Sequence, residues 1–151
     1  MTEIRFYRSN EKPYGIFSNL YKRDFVFERK TFPTREHAYQ YGKPSEQEVK
    51  DWLMNAPTPS ILAITAHNLL TWDIVPNWSK IKVERMKDIL RAFADQHPDF
   101  VEILLSTKDN RIIESPTTDN AVNRFWGEVN GKGKNTLGTL LMELRDELKT
   151  R

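Results

Sequence analysis

Five leucines close the chain, Leu137, Leu140, Leu141, Leu144 and Leu148, spaced 3, 1, 3 and 4 residues apart. That spacing gathers them on one stripe of a helix, and such a stripe is stable only against a core. Helical spacing also runs through Ile81, Met86, Ile89, Leu90 and Phe93, predicting a long helix from Ser79. "PSILAITAHNLL" is apolar enough for a buried helix, and Pro98 suits the first turn of "DFVEILLS". Thr34 can cap "REHAYQYGK", which Pro44 ends, and Ser45 with Glu48 has the pattern of a capping box for "EQEVKDWLM". "EIRFY" (3–7) and "DFVFER" (24–29) alternate apolar and polar residues, predicting strands joined across the turn-rich "SNEKPYGIFSN" into a small N-terminal sheet. "RIIES" reads as one more strand, broken by Pro116. The expected fold class is therefore α+β, mostly helical, as a single domain over 1–151.

Composition then narrows the function. The 23 Lys and Arg nearly balance 21 Asp and Glu, and a net charge of +2 gives no whole-molecule field for gripping nucleic acid, so any such contact is local. With no cysteine, disulfides, thiolate metal sites and cysteine nucleophiles are excluded. His37, His67 and His97 lack metal-ligand spacing, so no metal is predicted. No apolar run reaches membrane-spanning length and "MTEIRFYRSN" lacks a signal peptide's apolar region, so a cytoplasmic location is expected.

Two segments carry candidate chemistry. "FWGEVNGKGKNTLG" (125–138) is not a nucleotide triphosphatase loop, because Gly127 to Gly131 is one residue short and Asn135 follows Gly133-Lys134 where Ser or Thr is required. Nor is it a dinucleotide fingerprint, since Gly138 comes two places late. Gly131 and Gly133 can still let backbone approach a ligand at the start of the last helix, where N–H groups and the positive dipole end favour an anion. Asn135 is equally readable as that helix's cap. On the helix at 34–43, Glu36, Gln40 and Lys43 stand at i, i+4 and i+7, placing an acid, an amide and an amine on one face.

"YGIFSNLY" (14–21), "FPTREHAYQYGK" (32–43), "NWSKIKVERM" (77–86), "FWG" (125–127) and "GKGKNTLGTLLMELR" (131–145) together resemble, in order and over nearly the whole chain, the NADAR or YbiA-like family. Phe32 replaces a tryptophan of the family pattern, and Asn123 stands where an aspartate is usual. The resemblance implies a single compact YbiA-like domain and an N-glycosidase without a cofactor. Such an enzyme cuts the C1′–N bond of a phosphorylated ribose. Its expected substrate is ADP-ribose carried on the amino group of guanine in nucleic acid, with functional pairing to an ADP-ribosyltransferase. The alternatives are a small ribosylated amine of early riboflavin synthesis, or a non-catalytic ADP-ribose or NAD-binding module, which Asn123 makes conceivable.

Cleaving that bond calls for an anion near C1′, a proton for the leaving nitrogen, a placed water and a phosphate cradle. On the resemblance, Glu36 is the carboxylate, Gln40 orients it, and Lys43 is either proton donor or Schiff-base nucleophile. Phe17, Asn19, Tyr39, Asn123, Gly127 and Asn135 are expected at the substrate, Trp126 as a stacking face, and Gly133 with Lys134 at phosphate. Trp78 and Lys82 are expected to reach it from the long helix, although Lys82 reads equally well as a surface lysine with a buried stem.

Overall fold

The structure is a computed structural model describing residues 2–151. It is mostly helical with two small sheets, and its internal contacts divide the chain into two units, 22–93 and the pair of segments 2–21 and 94–151.

The 22–93 unit begins with a hairpin of β2 (Phe25–Phe27) and β3 (Lys30–Phe32), paired antiparallel with Phe25 opposite Phe32. Its two-residue turn places Glu28 (φ 52°) and Arg29 (φ 66°) in the left-handed region. That conformation matches the twist of a hairpin but is unfavourable for a side chain with a Cβ. Arg29→Gly is expected to stabilise the protein by about 1 kcal/mol, read as a higher denaturant midpoint. Four helices follow: α1 (Arg35–Tyr41), α2 (Gln47–Met54), α3 (Pro59–His67) and α4 (Trp78–Gln96), the last running on past the unit's end.

Thr34 caps α1 as expected, its hydroxyl accepting the His37 N–H at 3.1 Å. The capping box does not form. α2 starts at Gln47 behind Glu46 without a side-chain cap, while the Ser45 N–H and hydroxyl both turn to the Asp73 carbonyl, at 2.9 and 3.4 Å. α3 is buried on only one side: Leu62 and Ala66 are enclosed with Leu53, whereas Ile61 and Ile64 are 44% and 63% exposed. Phe25 packs on Phe32 and edge-on to Phe93 in the core, Phe32 also meets Tyr41 of α1, and the Arg35 guanidinium lies 4.5 Å from the Phe93 ring centre.

In the other unit, β1 (Glu3–Phe6) pairs in parallel with β4 (Arg111–Glu114), Ile4 opposite Ile112. The expected pairing of the first two strands is thus replaced by separate partners, one distant in sequence and one local. α5 (Pro98–Ser106), α6 (Ala121–Trp126) and α7 (Thr136–Lys149) complete this unit. Leu137, Leu140, Leu141 and Leu144 are buried as their spacing requires, with Leu148 at the edge. Arg145, 5% exposed, ties α7 to the turn after α5 by donating to Thr107 Oγ1 at 2.9 Å and the Asn110 carbonyl at 2.7 Å. No helix among the described residues is long and apolar enough to cross a membrane.

Candidate active site

The face of α1 predicted to carry chemistry does assemble a polar cluster. Gln40 Nε2 donates to Glu36 Oε2 at 2.8 Å, which fixes the amide's orientation. Gln40 is 8% exposed, and its Oε1 has no hydrogen-bond partner among the described residues. A buried acceptor left open costs free energy unless something donates to it, so this oxygen is suited to a substrate hydroxyl, amine or water. Lys43 Nζ donates at 2.6 Å to the Ala66 carbonyl at the end of α3.

The two charged groups shift toward each other. Burial pushes the Glu36 carboxyl above the ordinary carboxylate range, against the Gln40 hydrogen bond and the Lys43 charge, which pull it down. Burial, with the nearby Lys82 charge, lowers the Lys43 amine below the ordinary lysine value, the Glu36 charge opposing. A carboxyl moved up beside an amine moved down is the pattern expected where protons are exchanged with a substrate.

α4 faces this cluster with its own i, i+4, i+7 set of Trp78, Lys82 and Arg85. Trp78 packs on Tyr39 with ring centres 5.1 Å apart at 49°. Burial first, then the Glu36 charge, hold the Tyr39 hydroxyl well above its ordinary value, so it is a neutral donor or acceptor at physiological pH. Arg85 donates to the Ala38 carbonyl from Nη2 at 2.6 Å and from Nε at 3.2 Å, to Tyr39 O at 3.2 Å, and to Glu28 Oε1 at 2.9 Å. It therefore fixes α1 through the carbonyls of its last turn. Arg85 was not a predicted site residue, although its spacing from Trp78 and Lys82 was visible in the sequence.

Gly42 ends α1 directly against Arg85, and a Cβ there would overlap the guanidinium. Gly42→Ala is expected to cost about 1–3 kcal/mol in urea unfolding, because Arg85 must abandon its carbonyl bonds to make room. Beyond Gly42 the backbone is held as well: Val75 N–H donates to Lys43 O and Ser45 N–H to Asp73 O, both at 2.9 Å, with Pro44 bridged to Ile74.

The other predicted site residues belong to the second unit. Phe17 is fully enclosed among Phe6, Tyr14 and Phe100, which makes it a core residue instead of a substrate contact. Asn19 lies two residues beyond the 3₁₀ turn Tyr14–Phe17 and is partly exposed. Asn123 Nδ2 donates to the Thr118 carbonyl at 2.7 Å and so secures the turn before α6. Trp126 stands edge-on to Phe125, partly exposed, and Gly127 is the buried end of α6.

The glycine-rich segment is a tight hairpin turn: Val129 and Lys132 exchange backbone hydrogen bonds at 2.8 and 3.0 Å around Asn130 (φ 53°) and Gly131 (φ 76°). Gly131 thus serves the turn geometry. Gly133 and Lys134 are exposed, the Lys134 amine lying 5.5 Å from the Phe125 ring centre. Asn135 occupies the N-cap position of α7 in a left-handed conformation (φ 51°), but its side chain does not cap the helix. It is 2% exposed, accepts from Glu114 N–H at 3.1 Å and donates to Ile112 O at 2.8 Å. Its amide is therefore a staple to β4, which corrects both sequence readings of this residue. Among the described residues no three His, Asp or Glu gather to hold a metal.

Residues 5–149 match the NADAR domain family. N-glycosidase YbiA of Shigella flexneri serotype 5b (strain 8401) is 34% identical over 148 residues, 97% of this chain and 89% of that protein. The riboflavin biosynthesis protein VVA0006 of Vibrio vulnificus (strain YJ016) is 29% identical over 147 residues, which are 97% of this chain and 38% of that longer protein. The NMR structure of the E. coli protein YbiA matches with a TM-score of 0.84 at 33% identity, covering 99% of this chain and 86% of that one. Fold and sequence together define a hydrolase of the N-glycosidase type. The chain belongs to the NADAR domain family.

Proposed function

We propose that the protein hydrolyses the C1′–N bond between ADP-ribose and the amino group of guanine in nucleic acid, undoing the product of an ADP-ribosyltransferase. The observation that carries the reading is the α1 cluster: a Glu36 carboxyl raised by burial, bonded to Gln40, beside a Lys43 amine lowered by burial. Glu36 stabilises positive charge growing at C1′ or takes a proton from the incoming water, and the open Gln40 Oε1 accepts from that water or a ribose hydroxyl. The Tyr39–Trp78 pair supplies an aromatic flank and Lys82 a cation for phosphate. Lys134 is the cation expected at phosphate from the glycine-bearing turn.

Two roles are open to Lys43. As a proton donor it protonates the departing nitrogen while water adds to C1′. As a nucleophile, its neutral amine adds to C1′ of the ring-opened sugar, the substrate amine leaves with a proton, and water then hydrolyses the resulting lysine imine to free the sugar. Borohydride added during turnover reduces that imine to a stable adduct on Lys43 in the second case and traps nothing in the first.

The substrate test is release of free ADP-ribose from ADP-ribosylated DNA by the purified protein. The name of the Vibrio relative favours a second reading, a ribosylamine intermediate of riboflavin synthesis. Competing the two substrates in one reaction separates them, and tight ADP-ribose binding without turnover of either would leave only a binding module.

A further inference from the structure

His37 leaves α1 about 100° around the axis from Glu36, away from the cluster just described. It is 7% exposed, and its Nδ1 lies 2.7 Å from the Thr34 hydroxyl, which already accepts the His37 backbone N–H at 3.1 Å. A hydroxyl has one proton to give. Thr34 is 1% exposed and its hydroxyl proton has no other acceptor among the described residues, so we assign that proton to the Nδ1 bond and the ring proton to Nε2. Nε2 has no hydrogen-bond partner among the described residues. Burial lowers the ring's proton affinity, so the side chain is a neutral N–H donor.

The same histidine lines an open cleft of about 700 Å³ whose walls all come from the 22–93 unit. Lys22 and Arg23 bring two cations to it against the single carboxylate of Asp24, while Met54 and Pro57 give it an apolar side. That volume suits a ligand of nucleotide size. An N–H donor, an excess of positive charge and an apolar side are together complementary to a phosphate ester joined to an aromatic ring.

We propose that this cleft binds a nucleotide through its phosphate, with His37 Nε2–H donating to a phosphoryl oxygen, Lys22 and Arg23 balancing its charge, and the ring lying against Met54 and Pro57. Glu36, Gln40 and Lys43 do not line the cleft, so the inference stands apart from the glycosidase reading.

The probe is adenosine monophosphate, titrated into full-length protein carrying ¹⁵N-labelled histidine and followed by NMR of the imidazole nitrogens. The expected result is a saturable shift of His37 Nε2, with adenosine and inorganic phosphate each binding at least tenfold more weakly. Lys22→Glu, at an exposed position that does not threaten folding, is expected to weaken binding at least tenfold. An unmoved His37 Nε2 at saturating nucleotide, or affinity unchanged in folded Lys22→Glu protein, overturns the proposal.

Discussion

Glu36→Gln is expected to lower kcat about 100- to 10,000-fold while leaving the protein folded. The amide keeps the size of the carboxyl and can still accept from Gln40 Nε2, so the loss is chemical: glutamine can neither balance charge at C1′ nor take a proton from water. The same substitution is expected to stabilise the protein, with a definite dependence on pH. Folding raises the Glu36 carboxyl, so the folded chain binds its proton more tightly than the unfolded chain does. Below the ordinary carboxylate range both states are protonated and the electrostatic penalty is absent. It grows as pH rises from that range through the raised folded value, and the gap in melting temperature between variant and wild type should widen over the same interval. A lower melting temperature for the variant at neutral pH would mean that the buried carboxylate is well compensated.

The pH dependence of wild-type turnover also separates the roles of Lys43. With Glu36 ionised and Lys43 neutral as a nucleophile, kcat/KM climbs and levels off. With Lys43 as proton donor, it falls again above a value lower than that of an ordinary lysine.

The largest expected loss of stability is for Asn135→Ala, about 3–7 kcal/mol in denaturant unfolding. Two backbone groups on β4, Glu114 N–H and Ile112 C=O, would lose their partner inside the protein, at about 1–3 kcal/mol each. Alanine also tolerates the left-handed backbone at this position less well than asparagine, adding about 1 kcal/mol. Asn135→Gly relieves the backbone part alone and is expected to fall between alanine and wild type. Equal losses for the two variants would show that conformation contributes nothing.

What the sequence revealed depended on how local the controlling interaction was. Thr34, the α1 stripe and the leucines of α7 obey short-range rules, and they were legible because cap and period lie within a few residues of one another. Ser45 followed by Glu48 satisfied the same kind of rule, yet Asp73, 28 residues away, took the Ser45 hydroxyl and amide. The partner of the first strand was equally remote, since β4 lies more than a hundred residues downstream. Asn130-Gly131 is itself a local signal, since the dipeptide marks a two-residue hairpin turn, and it accounts for Gly131 without a ligand cradle. For the candidate site, the spacing of Glu36, Gln40 and Lys43 is visible, whereas the spacing of Arg85 from Trp78 and Lys82 does not reveal that its partners are the backbone carbonyls of α1. Asn135 looked available because nothing in the chain announces that an amide will be turned inward.

The rungs that join 43–45 to 73–75 give the Lys43 amine a fixed pivot. Whatever excursion the amine makes between the Ala66 carbonyl and a sugar carbon must come from rotation about its own side-chain bonds, while the anchor beneath stays still. Reach is then set by the length of one lysine: arginine would overshoot with a rigid fork and ornithine would fall one methylene short, even though both carry the same charge.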